Sequence, residues 1–136
     1  MRKVLIAFLF ILISCVGPAD PDHGLVENLP AIINKSDAFT FSLRADNFNY
    51  NESLSLSLSI PSNKKMSSTL IVTDFNSSDS SIIKILGEND SIIFNYLINS
   101  NKTHSSSSNY TIPKKAFMSL NSFSGIINWV IAESSE

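Results

Sequence analysis

The chain of 136 residues has one cysteine, four glycines and two histidines, and only 16% of its residues are charged. One thiol cannot build an intramolecular disulfide framework, nor a zinc or iron–sulfur site that needs several. Four glycines leave little material for a loop that cradles phosphate by close backbone approach. There is no basic excess: 10 Lys+Arg stand against 12 Asp+Glu, a formal net charge of −2, so no cationic surface advertises nucleic acid. No apolar run reaches the ~20 residues that a membrane-spanning helix needs. What the chain does have is 43% hydrophobic residues, too many for a disordered chain, and 25 serines and 14 asparagines. The length suits one small domain.

The N-terminal residues carry the clearest pattern. Arg2 and Lys3 form a positive n-region, and residues 4–13 are an unbroken apolar run of ten. That is the length of a signal-peptide core and too short for a permanent span. Leu12, Ile13 and Ser14 lead into Cys15, the only thiol. Over residues 1–15 the chain resembles the lipobox signal of bacterial lipoproteins. The resemblance implies a signal peptide over 1–14, cleavage before Cys15, a diacylglyceryl thioether on Cys15 and acylation (palmitate or a similar chain) of its new amine. Several chains anchor stably where one binds marginally, at ~0.8 kcal/mol per buried CH₂. Val16 follows the cysteine in place of Asp, which points to the outer membrane rather than the inner in a cell that has both. A conventional peptidase cutting after Gly17 is the competing outcome; it would leave a secreted soluble β-domain without lipid.

From Cys15 onward, 8 basic residues face 12 acidic ones, a net charge of −4. Residues 15–37 read as a lipid-anchored tether, broken by Pro18, Pro21 and Pro30 and kept wet by Asp20, Asp22, Glu27 and Lys35. A short strand or helical turn is compatible with residues 29–33.

At residue 38 the hydropathy period becomes two. Phe39, Phe41 and Leu43 alternate with polar residues, and residues 53–60 alternate Ser with Leu or Ile without error. Strict alternation puts every serine on one face of a strand and every aliphatic on the other. Further strands are expected over 68–75, 81–86, 91–98, 110–112 and 125–132, all rich in β-branched or aromatic residues. Turns are expected at 47–51, 61–65, 76–80 and 87–90. Residues 99–109, with the run Ser105, Ser106, Ser107, Ser108, read as a mobile loop, and Pro113 opens a helical turn within 113–120. No repeat of 20–50 residues occurs. The sum is an all-β domain over 38–136: an antiparallel two-sheet sandwich of about seven strands, immunoglobulin-like, with a small Greek-key barrel as the alternative. Tyr110 is placed as a tyrosine corner would be.

Chemistry is sparse. Asp20, Asp22 and His23 lie together, but on the tether, where nothing would hold metal geometry. His104 sits in the serine-rich stretch without a second histidine. No Gly-x-Ser-x-Gly elbow exists. The acid pairs Asp74/Asp79 and Glu88/Asp90 flank turns, where carboxylates solvate the backbone. Six Asn-x-Ser/Thr sequons follow from composition. The expectations are therefore no enzyme, no cofactor and no metal.

The expected function is a lipid-anchored envelope protein acting as a binding or structural module. Its expected partners are the membrane through the anchor and an envelope protein or glycan, not nucleic acid. The alternative is an accessory subunit of an envelope secretion or assembly complex. The partner surface is placed at Ser105–Ser108 and on the serine face at Ser55 and Ser57, a flat surface open to strand addition.

Overall fold

The computed structural model describes residues 24–109 and 111–134. The alternating segments form seven antiparallel strands: β1 (Ala31–Asn34), β2 (Ala38–Ser55), β3 (Lys65–Thr73), β4 (Ser81–Leu86), β5 (Ile92–Ile98), β6 (Lys102–Ser108) and β7 (Lys115–Ser134). One layer has the order β1-β2-β7-β3-β6. The other uses the far halves of β2 and β7, with β4 on β7 and β5 on β4. The two layers therefore share their longest strands. In the immunoglobulin arrangement the two sheets are built from separate sets of strands. Edges remain at β1, β5, β6 and the far half of β2, so among the described residues the sheet folds over into an open sandwich and does not close into a barrel.

The shared strands fold over at a bend. Pairing of β2 with β7 shifts register between Ala45 and Phe48 and again between Phe48 and Tyr50. Asn47, Ser122 and Gly125 take positive φ there, at 47°, 43° and 141°. Side chains replace the interrupted ladder: the Asn47 amide donates to Ser124 Oγ (2.8 Å) and the Ser122 amide to Asn49 Oδ1 (2.9 Å). Residues 47–51, expected as a turn between strands, are thus the corner of one strand. Their Asn residues tolerate left-handed backbone and cap it locally.

The inward positions of both layers meet in one core. Phe39, Phe41 and Leu43 of β2, Leu70 of β3, Ile83 and Ile85 of β4, Met118 of β7 and Trp129 of β7 are all fully buried. Trp129 lies edge-on to Phe39 (5.7 Å) in its own layer and to Tyr96 (6.2 Å) in the opposite one. Its indole donates to Ser68 Oγ at 2.9 Å, and both side chains have zero exposure.

Further expectations are corrected. Residues 99–109 are not a loop: they contain β6, paired with β3 over seven residues without a shift. Residues 113–120 hold no helix: Ala116, Met118 and Leu120 alternate inward on β7, and Pro113 precedes the strand. The tether does not run to 37. Glu27 bridges Arg44, the Asn28 amide donates to Arg44 O (2.8 Å), and β1 pairs with β2. In the serine segment the ladder ends at Ser55, while residues 56–60 stay extended and keep Leu58 and Ile60 buried. Residues 111–112 are outside any strand. Tyr110 and the signal residues, with Cys15, Asp20, Asp22 and His23, lie outside the described residues.

Candidate interaction surface

Strand pairing fixes which side chains share the outer face of the five-stranded layer. One row reads Ile33, Thr40, Val130, Thr69 and Ser105 across β1, β2, β7, β3 and β6. The next reads Ala31, Ser42, Asn128, Ile71 and Thr103. A third carries Ala38, Ala132, Ser67 and Ser107. All fourteen positions are at least partly exposed and none is charged. Each strand alternates the core face with this uncharged one, on which Ile33, Ile71 and Val130 stand among polar and small residues. Charge begins at the rim, where Arg44 lies 3.7 Å from Glu27 and Lys64 3.2 Å from Glu133.

Ser105 to Ser108 form the outermost strand of this layer. Ser105 Oγ meets Thr69 Oγ1 (3.1 Å), and Ser106 Oγ meets the Tyr96 hydroxyl (2.8 Å). The Tyr96 bond spans the two layers and places β5 beside β6 on one flank of the sandwich. His104 contributes an exposed ring, edge-on to Tyr96 at 5.4 Å. No carboxylate and no serine is hydrogen-bonded to it among the described residues.

Ser55 and Ser57 are exposed as the alternation requires, but their backbone is occupied. The Asn34 amide donates to Ser55 O (2.8 Å) and its oxygen accepts from the Ser57 amide (2.8 Å). One side chain thus imitates a neighbouring strand at the place proposed for strand addition. Ser55 and Ser57 lie at the opposite flank from β6, so the two serine groups do not form one site.

Open clefts also lie on the described surface. One of about 650 Å³ lies among Ser55, Leu56, residues 87–90, Lys114 and Lys115. Its charges are matched, Lys115 to Asp90 at 2.9 Å and Lys114 to Glu88 at 3.8 Å. Another, about 340 Å³, lies at the bend among Glu27, Arg44, Asp46, Asp74 and Gly125. Among the described residues no group of three metal-ligating side chains converges. Burial, then the Glu52 carboxylate, raises the Tyr50 phenol above its usual value.

The sequence reading missed the flank that β5 forms with β6. On β5, Ile92 and Leu97 are 59% and 48% exposed. The signal was present as an apolar, uncharged run on both faces of 92–98, which a central strand would also show.

No protein-family model matches the chain, and no curated protein does. Among solved structures it is similar to a chain of the Bacillus endospore appendages, a novel family of disulfide-linked pili. The identity is 9% and the TM-score 0.42, over 79% of this chain and 91% of that one. It is also similar to the capsular polysaccharide assembling protein CapF from Staphylococcus aureus. There the identity is 9% and the TM-score 0.33, over 85% of this chain and 31% of that one. No functional reading is taken from likenesses this distant.

Proposed function

We propose that the chain is a lipid-anchored cell-envelope protein whose β-sandwich serves as a structural or binding module. The observation that carries the module is the uncharged fourteen-residue face on an otherwise acidic chain. Solvated sheet faces normally carry charge, and a broad face without it is suited to contact with another surface. The lipobox pattern ending at Cys15 supports the anchor, and Val16 supports the outer membrane as destination. The module has no catalytic role in this reading: His104 has a ring contact with Tyr96 and no hydrogen-bonded acid among the described residues, and Glu88 and Asp90 each face a lysine.

Replacement of Cys15 by serine tests the anchor. Wild type should partition into detergent and carry the added mass of lipid on its first residue. The Cys15→Ser chain should lack that mass and, once freed of its signal, stay aqueous. A wild-type chain that begins at Pro18 without lipid mass would sink the anchor and leave a secreted β-domain.

A further inference from the structure

The flank made by β5 and β6 presents two edge strands side by side, one from each layer. Neither is paired on its outer side among the described residues. Soluble proteins blunt such edges with central charges, prolines or bulges. Here residues 92–98 and 103–108 contain no Lys, Arg, Asp, Glu or Pro, and β6 runs in unbroken register with β3; a register shift interrupts only the start of β5, beside Ile93. The lone cation, Lys102, stands at the very start of β6 and turns its ammonium back onto Leu97 O and Asn99 Oδ1. Ile92 and Leu97 add exposed apolar surface to the same flank.

We propose that this flank binds a second copy of the chain, edge to edge, with β6 antiparallel to β6 about a two-fold axis at Ser105. Charge selects the occupant. The chain is acidic, so two copies repel wherever their charged surfaces face each other, and a charge-free flank is where they meet without that cost. It offers no electrostatic complement to a charged partner of another kind. Hydroxyls both donate and accept, so a serine edge is complementary to itself, as an isologous contact requires. Centring on Ser105 overlaps all seven residues of β6 and sets each Lys102 opposite a Ser108. The two ammonium groups then lie ~20 Å apart at ~3.4 Å per residue, about two Debye lengths at 0.1 M salt.

The size of the flank sets the strength. Seven-residue edges in layers ~10 Å apart cover roughly 500 Å² per copy, about 1,000 Å² in total, at the low end of specific interfaces. The dimer is therefore weak in solution. Confinement to a bilayer surface strengthens it by raising effective concentration, and this part rests on the anchor proposed above.

Sedimentation equilibrium of the full chain, from ~1 µM to ~1 mM and in mild detergent where it carries lipid, tests the inference across the range such an interface allows. A monomer–dimer equilibrium is expected. Ser105→Lys places two like charges face to face and should weaken it at least tenfold; Leu97→Glu should weaken it on the other layer. Ser53→Lys, exposed at the opposite flank, should leave it unchanged. Unaltered circular dichroism and unfolding midpoints establish that the variants are folded. Monomer at every concentration overturns the inference. So does a dimer indifferent to Ser105→Lys, or one weakened equally by Ser53→Lys. Lipid attachment is read separately from intact mass, so loss of the anchor reading and loss of this one give different results.

Discussion

Replacing Ser68 with alanine removes the hydrogen-bond partner of the only indole in the chain. Ser68 and Trp129 are both sealed from solvent, and Trp129 is wedged between Phe39 and Tyr96. The indole N–H has no water to turn to, so Ser68→Ala should cost about 1–3 kcal/mol. At roughly 5 °C per kcal/mol for a domain of this size, the midpoint should fall by roughly 5–15 °C. Ser106→Ala is the comparator. It also removes a hydroxyl from an aromatic partner, but Ser106 is only partly buried, so water can take its place and the loss should stay under about 1 kcal/mol. Urea unfolding followed by far-ultraviolet circular dichroism measures both. A cycle adding Trp129→Phe, alone and with Ser68→Ala, isolates the bond: the double variant should lose less than the sum of the singles. A Ser68→Ala loss below about 0.5 kcal/mol, with no coupling, would refute the claim that this bond holds a buried donor.

Leu58→Asp buries an unpaired carboxylate at a position with 4% exposure and should abolish cooperative unfolding, whereas Ser57→Asp, exposed one residue earlier, should change stability by less than about 1 kcal/mol. Gly125→Ala should destabilise by at least ~1 kcal/mol in the same urea titration, because φ is +141° and the new Cβ would sit 3.0 Å from Thr73 O. The raised Tyr50 phenol makes the folded state favour the neutral ring. That contribution is whole below pH ~10 and is lost as pH rises through the higher folded value, so Tyr50→Phe should flatten the fall in stability above pH 10.

The strands with an apolar inner face were legible because burial on one side writes a period of two into the residues; Phe39 to Leu43 carry it in β2, whereas the alternation of 53–60 outlasts the ladder, which ends at Ser55. β6 was not, since an edge strand at the rim has little core to cover, and Lys-Thr-His-Ser-Ser-Ser-Ser carries turn-like composition in an extended backbone. Residues 113–120 were misread for a different reason. Pro113 suggested a helix start, and that local signal outweighed the Ala116, Met118, Leu120 alternation that packing enforces. Ser105–Ser108, expected as a partner surface on a loop, lie in a strand paired with β3. The outer face was invisible beforehand, because its rows join residues from β1 to β7 and only the register brings them together.

The sharing of β2 and β7 by both layers also governs when the fold can form. β7 is the last strand described, and it lies inside both layers, pairing with β2, β3 and β4. Ala38 meets Ala132, so the first long ladder must close a loop that spans most of the domain. Until β7 is available, β2 and β3 have no strand between them and β4 has only β5. A chain emerging from a channel N-terminus first would thus hold no finished layer until its final strand came through. Closure would then be nearly all-or-none and comparatively slow, as long-range pairing dictates. Such a chain stays threadable for as long as it is being threaded.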